Sequence, residues 1–152
     1  MSGPKGRFSK ILVAVDGSDI SMDAADYGIE MAKKDKALLI ALTVSHISLS
    51  SSIGFPQPPN ELKQAKERHE LEAKQWFTRI NENAEQNNVE LKTELIEREM
   101  SIEAEIVEYA EREGIDLIII GTKGRSGFKK LLLGSVASGV VNYATCPVMV
   151  VR

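Results

Sequence analysis

Five short stretches of this chain are apolar enough to be buried strands, and four amphipathic stretches separate them. Residues 11–15 (Ile-Leu-Val-Ala-Val) and 117–120 (Leu-Ile-Ile-Ile) are unbroken apolar runs, the pattern of a strand covered on both faces of a parallel sheet. Residues 37–44 read as a second apolar strand, and residues 148–151 as a last apolar strand at a sheet edge. Residues 89–96 instead alternate: Val89, Leu91, Thr93 and Leu95 are offset from Glu90, Lys92 and Glu94. A period of two predicts a strand nearer the sheet edge.

The intervening stretches have the helical period. Over 20–34, Met22, Ala25, Ile29 and Ala32 share one face, and the small residues Ala25, Gly28 and Ala32 allow close approach to a sheet. Over 60–84, the stripe is Leu62, Ala65, His69, Ala73, Trp76, Ile80 and Ala84, with Asn60 as the expected N-cap after Pro58-Pro59. His69 falls on that stripe without a Cys or His at metal-ligand spacing, so it reads as a boundary histidine bonded locally. Ser101 should cap the next helix, with Ile102, Ile106, Val107 and Ala110 inward and Gly114 ending it. A last helix is expected over 135–143. The order β-α-β-α-β-α-β-α-β predicts the α/β class: a single five-stranded, doubly wound parallel sheet, order 3-2-1-4-5, with helices on both faces. Ligands of such sheets sit at the strand carboxyl ends where the strand order reverses, here between strands 1 and 4.

Both of those strand ends carry candidate chemistry. Strand 1 runs into Asp16-Gly17-Ser18-Asp19. Strand 4 runs into Gly121 and a loop that closes at Gly134-Ser135, the expected start of a helix. Glycines let backbone N–H groups approach a phosphate, and a helix N-terminus offers unpaired N–H groups with partial positive charge. Between Gly121 and Gly134 stand Lys123, Arg125, Lys129 and Lys130 and no acid, although the chain as a whole carries −3. A basic glycine loop in an acidic chain is a local anion site rather than a polyanion surface, and a pI near 5.5 gives nucleic-acid binding no general electrostatic support. Residue by residue, plainer readings stand beside this one. Gly121 also fits a strand terminator, Ser135 an N-cap and Asp16 a cap for the first helix.

The rest of the composition narrows the class. At 152 residues, 43% hydrophobic and 27% charged, one globular domain over 1–152 is expected, with a flexible tail at 1–7 and a mobile Ser/Pro-rich loop at 48–59. Apolar runs such as 38–42 are too short to span a bilayer, and the polar start lacks a signal-like apolar region. A single cysteine, Cys146, permits no internal disulfide and fits a cytoplasmic location. No P-loop run is present, strand 1 is followed by one glycine rather than a dinucleotide fingerprint, and Asp16 lacks the adjacent acid of a receiver domain.

Gly121-x-x-Gly124, nine residues and then Gly134-Ser135 resemble the nucleotide-binding signature of the universal stress protein family, in its ATP-binding, glycine-motif branch. Gly124-Arg125-Ser126-Gly127, Leu131-Leu132-Leu133-Gly134-Ser135-Val136, Cys146-Pro147-Val148-Met149-Val150-Val151 and Val13-Ala14-Val15-Asp16-Gly17-Ser18 extend the resemblance across residues 8–152. It implies an adenine nucleotide alpha hydrolase-like fold that binds ATP or AMP, with Mg2+ entering through the phosphates. It also implies the site: Asp16 with the main chain near Ala14 and Val44 at the adenine and ribose; Gly121 and Gly124 around the ribose and α-phosphate; Arg125, Ser126 and Gly127 along the phosphates; Gly134, Ser135 and Val136 at the β- and γ-phosphates. Three functions follow from this: a nucleotide-dependent switch in the stress response, a slow ATP hydrolase or phosphotransferase, or an assembly module joined as a homodimer through strand 148–151. Asp16 is the one acid near the loop, and His46 reads as a solvated loop histidine, so no catalytic residue is assigned and the switch leads.

Overall fold

The computed structural model describes residues 6–45, 59–123 and 133–152. The elements alternate as expected: β1 (Lys10–Ala14), α1 (Asp19–Asp35), β2 (Leu38–Ser45), α2 (Pro59–Gln86), β3 (Leu91–Glu97), α3 (Ile102–Glu113), β4 (Leu117–Gly121), α4 (Ser135–Tyr143) and β5 (Val148–Val151). The strands form one parallel sheet in the order β3-β2-β1-β4-β5, as the alternation predicted. Within the expected loop 48–59, only Pro59 is described, and it opens α2.

The unbroken apolar runs feed two cores. Ile11 and Val13 of β1, Leu39 and Ala41 of β2, and Leu117 and Ile119 of β4 point to the α1–α2 side. Leu12, Ile40, Leu42, Ile118 and Ile120 point to the α3–α4 side. Each fully buried aliphatic side chain of this kind contributes about 1.5–3 kcal/mol of transfer free energy, so the three central strands are a large part of the driving force. β3 lies at one edge with most of its residues half-exposed or exposed, in agreement with its alternating sequence.

The helix ends follow from local chemistry. Ser18 is the N-cap of α1, its Oγ accepting from the Ser21 N–H at 3.2 Å. Ser101 does the same for α3 through the Ala104 N–H, and Gly114 ends that helix at φ 66°. Two expectations shift. α2 starts at Pro59 rather than being capped by Asn60, because proline's fixed φ and missing N–H suit the first helical turn. His69 is buried to 5% exposure, its ring edge-on to Trp76 with centroids 6.1 Å apart. Glu97 at the end of β3 forms an ion pair with Lys66 of α2, and that hydrogen-bonded carboxylate raises the lysine's pKa.

Candidate functional site

A crevice opens at the carboxyl ends of β1 and β4, the neighbours at which strand order reverses. Its floor is apolar: Val15, Leu42 and Val44 from the sheet, Ile120 from β4, and Ile102 and Ile106 from α3. Its rim is polar and glycine-rich: Asp16 and Ser21 on one side, and Gly121, Thr122, Lys123, Gly134 and Ser135 on the other. Ala14, Val136 and Ala137 complete it.

On the β1 side, the chain leaves the sheet with the Val15 N–H donating to the Leu42 carbonyl at 2.9 Å. Asp16 then turns back on its own loop. Its Oδ1 accepts from the Ser18 N–H at 2.9 Å and from the Ser18 hydroxyl at 2.6 Å. The Ser21 hydroxyl donates to the Ser18 carbonyl at 2.9 Å and accepts from the Asp16 N–H at 3.2 Å. These short-range bonds give the carboxylate one orientation. Asp16 therefore braces the cap of α1, and Ser18, not Asp16, is the cap itself.

On the β4 side, the two ends of the glycine loop are tied together. The Thr122 N–H donates to the Val151 carbonyl at 2.8 Å, extending the sheet, and the Gly134 N–H donates to the Thr122 carbonyl at 2.5 Å. A Cβ at position 134 would lie 2.8 Å from the Thr122 oxygen, so this approach requires glycine. Gly134 is also the N-cap of α4. It offers no side-chain cap bond, and no acid stands in the first turn. Ser135, expected as the alternative N-cap, is instead the first helical residue. The first helical bond runs from Ser138 N–H to Gly134 carbonyl at 2.8 Å, so the N–H groups of Ser135, Val136 and Ala137 precede the intrahelical ladder. With the helix dipole behind them, they favour an anion.

Of the residues assigned from sequence, Ala14, Asp16, Val44, Gly121, Gly134, Ser135 and Val136 meet in this one crevice. Gly124, Arg125, Ser126 and Gly127 lie outside the described residues, as does His46. Ile102 and Ile106 were read only as the inner face of a helix, and their i, i+4 spacing carried no mark of a cavity. Ser21, Thr122 and Ala137 were also not singled out, whereas Lys123, one of the cations of the glycine loop, does line the crevice. Among the described residues, no group of three or more His, Cys, Asp or Glu side chains could hold a metal ion, and no helix is long and apolar enough to cross a membrane.

Known proteins share this architecture. A universal stress protein of Methanocaldococcus jannaschii is 36% identical over 146 residues, 95% of this chain and 82% of that protein. The universal stress protein UspA from Lactobacillus plantarum superposes with a TM-score of 0.78 at 28% identity, over 97% of this chain and 100% of that one. The universal stress protein from Archaeoglobus fulgidus in complex with dAMP shares the fold with a TM-score of 0.68 at 21% identity, over 95% of this chain and 98% of that one. The family model described as Universal stress protein family matches residues 7–152, and with the relatives in archaea and bacteria this establishes that the chain belongs to that family.

Proposed function

We propose that the crevice binds an adenine nucleotide, AMP or ATP, and that the protein acts in the stress response as a nucleotide-dependent switch rather than through turnover. One observation carries the reading. The oriented Asp16 carboxylate and the side-chain-uncapped N-terminus of α4 face the same apolar-floored crevice. A carboxylate accepts from a ribose hydroxyl or an amino group and repels phosphate. A bare helix N-terminus does the reverse. The two ends thus impose a direction on the ligand. The base and ribose lie by Asp16, Ala14 and Val44, over the floor made by Ile102 and Ile106. The phosphates lie by Gly121, Gly134 and the N–H groups of Ser135, Val136 and Ala137, with Gly124, Arg125, Ser126 and Gly127 completing their cover. Mg2+ would enter bound to the polyphosphate. The dAMP held by the Archaeoglobus fulgidus relative belongs to the same ligand class.

Residues 1–152 act in this reading as one domain, in the cytoplasm, and two copies pair through Val148–Val151. Calorimetric titration with AMP, ADP and ATP tests the binding. One saturable site per chain is expected, with phosphate release from ATP at the background rate. The absence of saturable heat from every adenylate would overturn the assignment. Phosphate release that disappears in Ser135→Ala would replace the switch with a hydrolase.

A further inference from the structure

The chain has one tryptophan, and it touches the nucleotide crevice's loop from behind. Trp76 projects from α2 into the core on the α1–α2 side of the sheet, flanked along its helix by the buried Ala73 and Ile80. The β1–α1 loop passes between that side and the crevice. Asp16 lines the crevice, and the next residue, Gly17, sits directly against the indole. Gly17 has φ +83°, and a Cβ there would run into the six-membered ring and come within 2.7 Å of Nε1. The backbone can make this contact only because position 17 has no side chain. His69 stands edge-on against the same indole at 78°, and is itself buried.

We propose that Trp76 is a positioning residue for the adenylate: by bracing Gly17 it sets where Asp16 meets the ligand, and it makes α2 the element that registers whether the crevice is filled. This rests on the nucleotide reading above. The hydrogen bonds linking Asp16, Ser18 and Ser21 are internal to the loop and the first turn of α1, so they orient the carboxylate within the loop. The indole holds that loop from a different element. A ligand that draws on Asp16 therefore pulls against Trp76, and displacement of the loop changes the environment of the indole. A site held in place before binding spends less free energy on ordering, so removing the brace weakens binding.

The test is AMP titration followed in parallel by calorimetry and by the emission of Trp76, the fluorescence of which is free of other tryptophans. In the wild type, emission is expected to change saturably with the calorimetric midpoint. Trp76→Ala should weaken AMP by about tenfold, whereas Trp76→Phe, which keeps a flat ring under Gly17, should stay within about threefold. Thermal unfolding without ligand separates the two roles, because a purely structural brace would lower stability in Trp76→Ala and leave the dissociation constant of the folded fraction unchanged. Saturable heat with unchanged emission, or a folded Trp76→Ala that binds AMP like wild type, would overturn this inference and leave the nucleotide reading intact. No saturable heat in the wild type would overturn both. If Trp76→Ala does not fold, the wild-type emission decides.

Discussion

At the scale of single residues, the site depends on positions where the backbone itself is the functional group. Gly134 is the clearest. Its N–H closes the loop onto the Thr122 carbonyl, and the space a Cβ would need is occupied by that same oxygen. Gly134→Ala should therefore cost about 1–3 kcal/mol of stability, as overpacking does. It should also weaken AMP by at least about tenfold, or 1.4 kcal/mol, because opening the loop moves the first N–H groups of α4. Chemical denaturation and calorimetry on one preparation check both; unchanged binding at lowered stability would remove Gly134 from the site. Ser18→Ala acts at the other rim. It removes the α1 cap and a donor to Asp16, so about 1 kcal/mol of stability should go, together with some affinity for AMP. Both positions were legible in the sequence, because a glycine beside a hydroxyl residue after an apolar run has a local meaning. The cap assignments at Asp16 and Ser135 were each displaced by one or two residues. Ser18 and Gly134 offer equivalent local chemistry, and only the backbone path decides between them.

At the scale of elements, α3 links stability to the site. Its start is fixed by Ser101 and by Glu105, whose Oε1 accepts from the N–H groups of Glu99 and Met100 at 2.9 Å each. Its end is fixed by Gly114. Between them it buries Ile106, Tyr109 and Ala110 and turns Ile102 and Ile106 toward the crevice. Burial pushes the Tyr109 phenol above its ordinary value of 10.0, and the nearby carboxylate of Glu94 adds to the rise. A raised folded-state value means that the neutral phenol is favoured by folding. This contribution is complete below pH 10, and is lost as pH climbs from there toward the folded value, because the unfolded chain then releases its proton first. Each pH unit in that window is worth up to about 1.4 kcal/mol. Urea midpoints should thus fall above pH 10 in the wild type, and fall less steeply in Tyr109→Phe. Parallel slopes would show that the hydroxyl is not responsible. Element types and the two ends of α3, Ser101 and Gly114, were readable because they depend on neighbouring residues. The part α3 plays in the crevice was not, since it depends on how a crossover helix lies across strands that the sequence places elsewhere. The Pro59 start of α2 was missed by one residue because Pro58, Pro59 and Asn60 each suit a helix entry.

At the scale of the whole molecule, the strict β-α alternation implies a doubly wound parallel sheet, and so the position of the crevice was predictable before any side-chain contact was known. What one chain leaves unsatisfied is its last edge. β5 pairs with β4 on one side, and Val148, Met149 and Val150 remain only half-buried. Val141 and Tyr143 of the adjoining α4 are exposed as well, Tyr143 to 72%. An apolar strand at an edge invites a second strand, and a two-fold axis would set two copies of β5 antiparallel. The bonds to β4 tell which groups are available. The Ile118 N–H donates to the Pro147 carbonyl and the Thr122 N–H to the Val151 carbonyl, at 3.0 and 2.8 Å. Alternation along a strand then directs the backbone groups of Val148 and Val150 outward. Val150→Pro would delete an outward N–H without taking a bond from β4, which is why proline is tolerated at such positions. In a two-fold dimer the loss is felt twice, about 2–3 kcal/mol, or roughly thirty- to a hundredfold in the dimer dissociation constant. Sedimentation equilibrium should show a wild-type dimer and a Val150→Pro protein shifted toward monomer, with AMP binding retained because the crevice lies at the β1–β4 junction. A wild type that sediments as a monomer throughout would leave the β5 edge without this partner, and a Val150→Pro protein that still dimerises would place the interface elsewhere.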